Sequence, residues 1–234
     1  MVGYLVVLLA YAAFNLGSLS YFWKGTLVAF LYVSFDLFWT YFRDYVWYVP
    51  LSSIISGSIL ALVAVPGPPF GFIFLLPLLA VASKQLIKIG WQSGPSRHIF
   101  NPAAFSMMGL SLAGYPAVSW WSVAWGSYVF YLVLAAGLFI LWRQNRWETA
   151  AAFFLPYLLV FKSSAFDGTV IFFATVMLIE PMTSNFLGKS RKIAYGAAVS
   201  LIAIFVSMFG NFLPYDPLLL GLLLGNLIFS LKMT

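Results

Sequence analysis

The stretch RHIFNPAAF, residues 97–105, joins two long apolar segments and carries the signals of a helix start. Asn101 suits the position before a helix, and Pro102 suits the first turn because its missing N–H group would have no partner there. The same signals recur at Asp216 and Pro217. If these helices begin inside a membrane, their free N–H groups and positive dipole ends can hold an anionic or electron-rich ligand. Asn-Pro and Asp-Pro also start helices at ordinary loop ends, so the spacing alone leaves both interpretations open.

The composition around this stretch excludes a soluble globular protein. Hydrophobic residues make up 63% of the 234 residues and charged residues only 8%, whereas a soluble surface needs about a quarter charged residues. Apolar runs separated by short polar joints fill the chain. We therefore expect one transmembrane domain over residues 1–234, in contact with the lipid bilayer. The absence of cysteine excludes disulfides and thiolate metal sites within the chain.

The apolar runs predict about ten transmembrane or half-membrane helices. The runs are 2–16, 25–42, 51–65, 69–84, 101–113, 118–142, 147–161, 168–181, 192–210 and 215–231. Three of them (51–65, 101–113 and 168–181) are too short for a hydrocarbon core of about 30 Å. We expect these three to be broken helices that irregular backbone completes inside the protein.

The basic residues test this count independently. If every run crosses once and the N-terminus is cytoplasmic, ten of the 12 basic residues lie on the cytoplasmic side, and only Lys24 and Lys162 lie outside. The sequence thus predicts a multi-pass membrane protein with both termini in the cytoplasm. The net charge of +6 is then a topological signal, and a nucleic-acid partner is not expected.

The third to fifth runs and the eighth to tenth share an order, which is a short helix, a long helix, and a helix opened by an amide or acidic residue and proline. Because five crossings separate the corresponding runs, the second half is predicted to be inverted relative to the first, with repeats over about 1–115 and 116–234. Small residues in these runs would allow close approach between helices or to a flat ligand. They include Ser53, Ser56, Gly57 and Ala104.

Several of these elements resemble the NqrB/RnfD family, the membrane subunits of the sodium-pumping NADH:quinone oxidoreductase and of the Rnf ferredoxin:NAD oxidoreductase. The elements are LSSIISGSILALVAVP, SKQLIK, SRHIFNPAAF, FFATVMLIEPMTS, GKSRKIAYG and YDPLLLGLLLGNL. The resemblance covers residues from about 51 to the C-terminus apart from the middle part. It implies an all-α fold similar to urea and ammonium transporters, with two inverted five-helix repeats, and a location in the cell (inner) membrane.

The chain departs from the family in one respect. Redox subunits of the family carry FMN on a threonine in an S-G-A-T type segment, and the interval from Ala104 to Glu180 contains no such segment. Thr149 and Thr169 stand in WETAA and DGTVI, which do not match. Covalent FMN is therefore not expected, and the resemblance leaves noncovalent FMN or riboflavin as the cofactor to be tested.

Polar residues inside apolar runs are the candidate site residues. A carboxylate near the middle of a membrane costs about 2.5–3.5 kcal/mol, so it requires a partner or a function. Asp36 is a candidate ion or proton ligand, or a hydrogen-bond partner of a broken helix. Glu180 is a candidate ligand; alternatively it caps a helix, or it pairs with Lys189 or Arg191 at the cytoplasmic edge. The resembling elements add Thr183 and Asn226 to the candidates, together with Asn101, Pro102, Ala104, Ser53, Ser56, Gly57 and Asp216.

Other conspicuous residues are interpreted as structural. His98, the only histidine, is expected to be a hydrogen-bonded anchor rather than a metal ligand, and Arg97 and Lys84 are expected to lie at an interface. Five tryptophans near the ends of runs are interpreted as interfacial belts. They are Trp120, Trp121, Trp125, Trp142 and Trp147.

The sequence leaves three functional hypotheses. The first is an NqrB/RnfD-like subunit of transmembrane transport or ion-coupled electron transport, which would act with other membrane subunits of a redox complex. The second is a stand-alone transporter or channel for a small solute, for example a flavin or a urea-like molecule. The third is a structural partner that holds other enzymes at the membrane. No nucleophile–base set or phosphate-binding loop is recognisable, so the chain is not expected to be an enzyme by itself.

Overall fold

The computed structural model describes residues 1–48, 50–66, 70–91, 94–124, 126–184, 188–210 and 215–231. Within these ranges the chain forms 11 α-helices and one two-stranded hairpin. The predicted all-α class is confirmed. Three helical segments, Leu19–Asp44, Trp147–Phe166 and Lys189–Phe209, are long and apolar enough to cross a membrane.

The helices follow the predicted apolar runs closely. They are α1 (Val2–Asn15), α2 (Leu19–Asp44), α3 (Leu51–Val63), α4 (Phe70–Leu86), α5 (Pro102–Leu112), α6 (Gly126–Gln144), α7 (Trp147–Phe161), α8 (Gly168–Phe172), α9 (Pro181–Ser184), α10 (Lys189–Phe209) and α11 (Pro217–Leu231). A 3₁₀ turn, Lys162–Phe166, follows α7, and a π-helical turn, Phe173–Met177, continues α8. Pro102 and Pro217 are the first residues of α5 and α11, as predicted.

The chain forms two compact units. Unit 1 comprises Met1–Ile87 and Pro102–Val123, and unit 2 comprises Lys88–Asn101 and Ala124–Thr234. In unit 1, α3 packs against α1, α2 and α5, and α4 packs against α2 and α5. In unit 2, α10 packs between α7 and α11, and α6 packs against α8 and the π-helical turn.

The three short runs form short, buried helices. Nine of the 13 residues of α3 and eight of the 11 residues of α5 are buried. In α8, Val170, Ile171 and Phe172 are buried, and all five residues of the π-helical turn are buried. In the three long segments, by contrast, only 17%, 28% and 33% of the most apolar window is buried. The long helices therefore expose apolar flanks, whereas the short helices are enclosed by protein.

An irregular segment caps the C-terminal end of α3. The last carbonyl groups of a helix have no partner within the helix, and the segment 117–122 supplies donors to those of α3. Trp121 Nε1 donates to the Ala61 oxygen at 3.0 Å, and Ser122 Oγ donates to the Leu62 oxygen at 2.8 Å. The backbone N–H groups of Ser119 and Trp120 both donate to the Val63 oxygen.

This capping corrects two predictions. The sixth run was expected to be helical from residue 118, but its first residues cap α3 and the helix begins only at Gly126. Trp120 and Trp121 are not belt residues, because they are 6% and 3% exposed within this cap. Trp142 and Trp147 are exposed, and Trp125 lies outside the described residues.

A short β-hairpin precedes α5, which the sequence did not predict. β1 (Lys88–Trp91) and β2 (Gly94–His98) are antiparallel, with Lys88 opposite His98 and Ile89 opposite Arg97. The joint contains glycines and Pro95, which disfavour a helix. The pairing places His98 at the end of β2, three residues before Asn101 in sequence.

Two glycines permit close helix contacts. A Cβ atom on Gly57 would lie 3.0 Å from the Ala29 carbonyl oxygen, which is tighter than most Cβ contacts, so glycine there allows α3 to lie close to the backbone of α2. A Cβ atom on Gly196 would overlap the Thr149 carbonyl oxygen, where α10 meets α7. The close helix approach predicted for Gly57 is confirmed.

We predict that Gly196→Ala lowers the free energy of unfolding by about 1–3 kcal/mol, because the methyl group forces α7 and α10 apart. Gly109→Ala is the matched control, since a Cβ atom on Gly109 meets nothing within 4 Å. That control should be neutral or stabilising by up to about 1 kcal/mol. Unfolding by SDS in mixed micelles, followed by tryptophan fluorescence, measures both variants. Equal stability of the two variants would contradict the close contact.

Candidate functional site

Unit 1 contains a buried carboxylate that is saturated with hydrogen bonds. Asp36 of α2 is fully buried, and its Oδ2 atom accepts from Lys84 Nζ of α4 at 2.9 Å and from Ser53 Oγ of α3. Tyr48 Oη donates to the same oxygen at 2.6 Å, and Gln85 Nε2 donates to Oδ1 at 2.6 Å. Asp36 thus binds the broken helix α3, which is one of the two roles that the sequence left open.

The ammonium group opposite Asp36 is equally well bound. Lys84 Nζ also donates to Ser53 Oγ at 2.8 Å and to Ser52 Oγ at 3.2 Å. Because the charges are paired and every proton on Nζ has an acceptor, the Asp36–Lys84 pair joins α2, α3 and α4 without leaving an open ligand position. Lys84, expected at an interface, instead forms one half of this buried pair.

Tyr48 and Gln85 are members of this cluster that sequence reasoning missed. Tyr48 lies in the connection between α2 and α3, where partial burial and its hydrogen bond to Asp36 raise the pKa of the phenol. Gln85 accepts from Arg43 Nη1 at 2.8 Å and so connects Asp36 to the exposed Arg43–Asp44 ion pair. The available signal in the sequence was the position of Gln85 next to Lys84 near the C-terminal end of the apolar helix α4.

Unit 2 contains a second buried carboxylate with a different environment. Glu180 lies in the break between the π-helical turn and α9 and is 9% exposed. Its Oε2 atom accepts from Asn101 Nδ2 at 3.0 Å and from Thr183 Oγ1 at 3.3 Å. The structure therefore joins the FNPAAF and EPMTS elements at Asn101 and Glu180, which lie 79 residues apart in sequence.

His98 faces the other oxygen of this carboxylate. His98 Nε2 lies 3.8 Å from Glu180 Oε1, which is beyond hydrogen-bond distance. The Nε2 atom is buried and has no hydrogen-bond partner among the described residues. The Nε2 atom of His98, a residue predicted to be a hydrogen-bonded anchor, therefore makes no hydrogen bond among the described residues. Lys189 and Arg191, the suggested pairing partners of Glu180, are exposed.

Arg146 supports the backbone beside Glu180 and was not foreseen. It precedes α7, is 7% exposed, and donates from Nη1 to the Ser184 carbonyl oxygen at the end of α9 at 2.7 Å. Burial lowers the pKa of this guanidinium, and the nearby charge of Arg97 lowers it further, while Glu148 acts in the opposite direction. Its only signal in the sequence is a basic residue in the short joint RQNRWE.

The remaining acidic and amide candidates, Asp216 and Asn226, form hydrogen bonds with partners other than Glu180. Asp216 Oδ1 accepts from the backbone N–H of Leu219 at 2.9 Å, which is a helix cap for α11. Asn226 of α11 is fully buried and accepts a short hydrogen bond from Tyr195 Oη of α10. Its Nδ2 atom has no partner among the described residues.

The candidates in the short helices of unit 1 are packing residues in this structure. Ser56 and Gly57 are buried in α3, and Pro102 and Ala104 are buried in α5. The sequence-predicted residues thus form two clusters: Asp36, Ser53 and Lys84 in unit 1, and His98, Asn101, Glu180 and Thr183 in unit 2.

Comparison of the sequence with models of known protein families finds no match, and comparison with curated proteins finds none either. The resemblance to the NqrB/RnfD family therefore remains a prediction from the quoted elements.

We predict that Asp36→Asn and Lys84→Met each lower the free energy of unfolding by about 3–5 kcal/mol, because each leaves a buried charge without its partner. The double variant should lose less than the sum of the two. Asp44→Asn is the control, since its ion pair with Arg43 is about half exposed and contributes at most about 1 kcal/mol. SDS unfolding in mixed micelles measures all four. Additive single effects, or an equal loss in Asp44→Asn, would contradict the buried pair.

Proposed function

We propose that this protein moves a small solute or ion across the cell membrane as an NqrB/RnfD-like subunit of ion-coupled electron transport. Ten crossings in two inverted five-helix repeats, with both termini in the cytoplasm, are part of this proposal. Its partners would be the lipid bilayer and other membrane subunits of a redox complex. The chain would contribute a transport site and no catalytic centre of its own.

The position of Glu180 carries the proposal. An ionisable residue within apolar helices is costly and is retained where it serves an ion or substrate path. Transport sites commonly lie where helices are interrupted, because the interrupted backbone and nearby side chains can coordinate a ligand. Glu180 follows directly on such an interruption, with Asn101 and Thr183 bonded to it and His98 opposite. A π-helical turn before it supports the same interpretation, since such turns occur frequently at functional sites.

Noncovalent FMN or riboflavin is the cofactor of this proposal, and an aromatic groove in unit 1 is its proposed binding site. The groove lies along α2 and α4, has a volume of about 410 Å³, and is lined by Phe35, Phe38, Trp39, Phe42, Arg43, Leu78 and Val81. Aromatic walls suit a flat ring system, and the guanidinium at one end suits its polar edge. A bound flavin would supply one- and two-electron redox chemistry, and the role of these residues would be to stack against it and orient it.

The first test is an absorbance and fluorescence spectrum of the detergent-purified protein before and after acid precipitation. We expect flavin in the supernatant, because no threonine segment suited to covalent attachment is present. Trp39→Leu should reduce the flavin content by removing one wall of the groove, whereas Trp142→Leu, at an exposed position outside the groove, should not. Flavin retained in the pellet would contradict noncovalent binding.

A stand-alone transporter for a small solute is the second candidate, and the missing S-G-A-T segment favours it. If the purified protein contains no flavin, uptake of riboflavin and of urea into proteoliposomes tests this function. Glu180→Gln should abolish uptake, and Asp167→Asn should retain it, because Asp167 only caps α8 and asparagine caps equally well. Absence of both flavin and uptake would contradict the cofactor and the solute of the proposed function.

A further inference from the structure

The two buried carboxylates of this chain are bound in opposite ways. Asp36 accepts four hydrogen bonds and faces the ammonium group of Lys84 at 2.9 Å, so its negative charge is fixed. Glu180 accepts only from neutral groups, the amide of Asn101 and the hydroxyl of Thr183, and both donate to Oε2. Among the described residues, no donor bonds to Oε1. One oxygen of Glu180 is therefore open to a further proton or donor.

The atom that faces this open oxygen is itself unbonded. His98 Nε2 is buried without a hydrogen-bond partner among the described residues, and it lies 3.8 Å from Glu180 Oε1. A hydrogen bond between these atoms requires about 2.7–3.2 Å, so a rotation of either side chain that shortens the gap by less than 1 Å would form it. A buried polar atom without a hydrogen-bond partner requires an explanation, and a functional role is one such explanation. A single proton satisfies both atoms, because it turns one of them into a donor.

Charged and titratable groups lie near this pair on several elements. Lys88 of β1 lies opposite His98 in the hairpin, and Arg97 precedes His98 in β2. Arg146 binds the end of α9, with Glu148 of α7 nearby, and the carboxylate of Glu180 interacts electrostatically with Tyr195 of α10. Within this cluster, His98 and Glu180 are the two titratable side chains that face each other, with His98 Nε2 3.8 Å from Glu180 Oε1.

We propose that His98 and Glu180 together bind one exchangeable proton, and that the ion this protein moves is the proton; this inference rests on the transport function proposed above. A proton that enters from one side binds the lone pair of His98 Nε2. Transfer to Glu180 breaks the N–H bond and forms an O–H bond at Oε1, which converts imidazolium and carboxylate into imidazole and carboxylic acid with no net change in charge. Release from Oε1 to the other side restores the starting pair.

The test is proton flux into proteoliposomes that contain the full chain and a trapped pH-sensitive dye. A potassium diffusion potential, negative inside and set by valinomycin, drives the flux. We expect internal acidification to be faster than in protein-free liposomes. Glu180→Gln and His98→Gln should reduce the rate to that of protein-free liposomes, and Asp167→Asn should retain it.

Glu180→Asp separates a proton site from a structural role. Glutamine keeps the shape of Glu180 and loses the exchangeable proton, whereas aspartate keeps a carboxyl group and shortens the side chain. A proton site predicts a partly retained flux in Glu180→Asp and none in Glu180→Gln, and a structural role predicts the reverse order. Each variant is tested after it elutes as a single species in detergent. If Glu180→Gln does not fold, His98→Gln takes its place in the comparison with Glu180→Asp.

The outcomes distinguish this inference from the function on which it rests. A wild-type flux no faster than that of protein-free liposomes, or one unchanged in Glu180→Gln and His98→Gln, overturns the proton site even where flavin binding or solute uptake is observed. A flux that depends on both residues supports the proton site even where neither flavin nor solute uptake is found, and in that case the cofactor and solute of the proposed function are wrong.

Discussion

Buried backbone carbonyl groups and buried charges in this chain must find their partners within the protein, and the arrangement of the short helices follows from that constraint. A helix that stops inside an apolar environment exposes carbonyl groups that water cannot reach. The end of α3 meets this requirement through Trp121, Ser122 and the backbone of the segment before them. At the start of α3 the same requirement applies to a buried charge. Ser53 donates a hydrogen bond to the carboxylate of Asp36 and accepts one from Lys84. Both ends of one short helix are thereby tied to other elements of unit 1.

The same constraint explains why Asp36 and Glu180 differ. A carboxylate that holds helices together is most effective when every lone pair is occupied and a cation neutralises the charge, as Lys84 does for Asp36. A carboxylate that serves a ligand must keep one position open, and the remaining bonds then serve to orient it. Asn101 and Thr183 orient Glu180 in this manner, and Arg146 fixes the backbone of α9 that carries Thr183. Burial is common to both residues, so their hydrogen-bond partners and not their burial distinguish the structural carboxylate from the proposed proton site.

Hydrophobic periodicity and helix-start signals located ten of the 11 helices of the described residues, although α9 was not predicted and α6 begins eight residues later than its run. Asp216 and Pro217 begin α11 with the expected cap, and the short lengths of α3 and α5 follow from the short runs. Contacts between distant segments were not predictable, because they depend on packing and not on local pattern. The irregular segment before α6 is as apolar as a helix, but its backbone and two of its side chains donate hydrogen bonds to the last carbonyl groups of α3. The 3.8 Å gap between His98 and Glu180 likewise depends on a hairpin that only tertiary structure reveals.

The π-helical turn, Phe173–Met177, ends three residues before Glu180. A π-turn contains one more residue than an α-helical turn, so it shifts the residues that follow it in the helix by about 100° around the helix axis. Two contacts are made at this turn: Thr175 Oγ1 donates to the Ile171 oxygen at 2.7 Å, and Gly137 of α6 leaves room for the Thr175 side chain, which a Cβ atom would overlap. The segment that leads into Glu180 therefore depends on a glycine and a threonine that do not bond to its carboxylate.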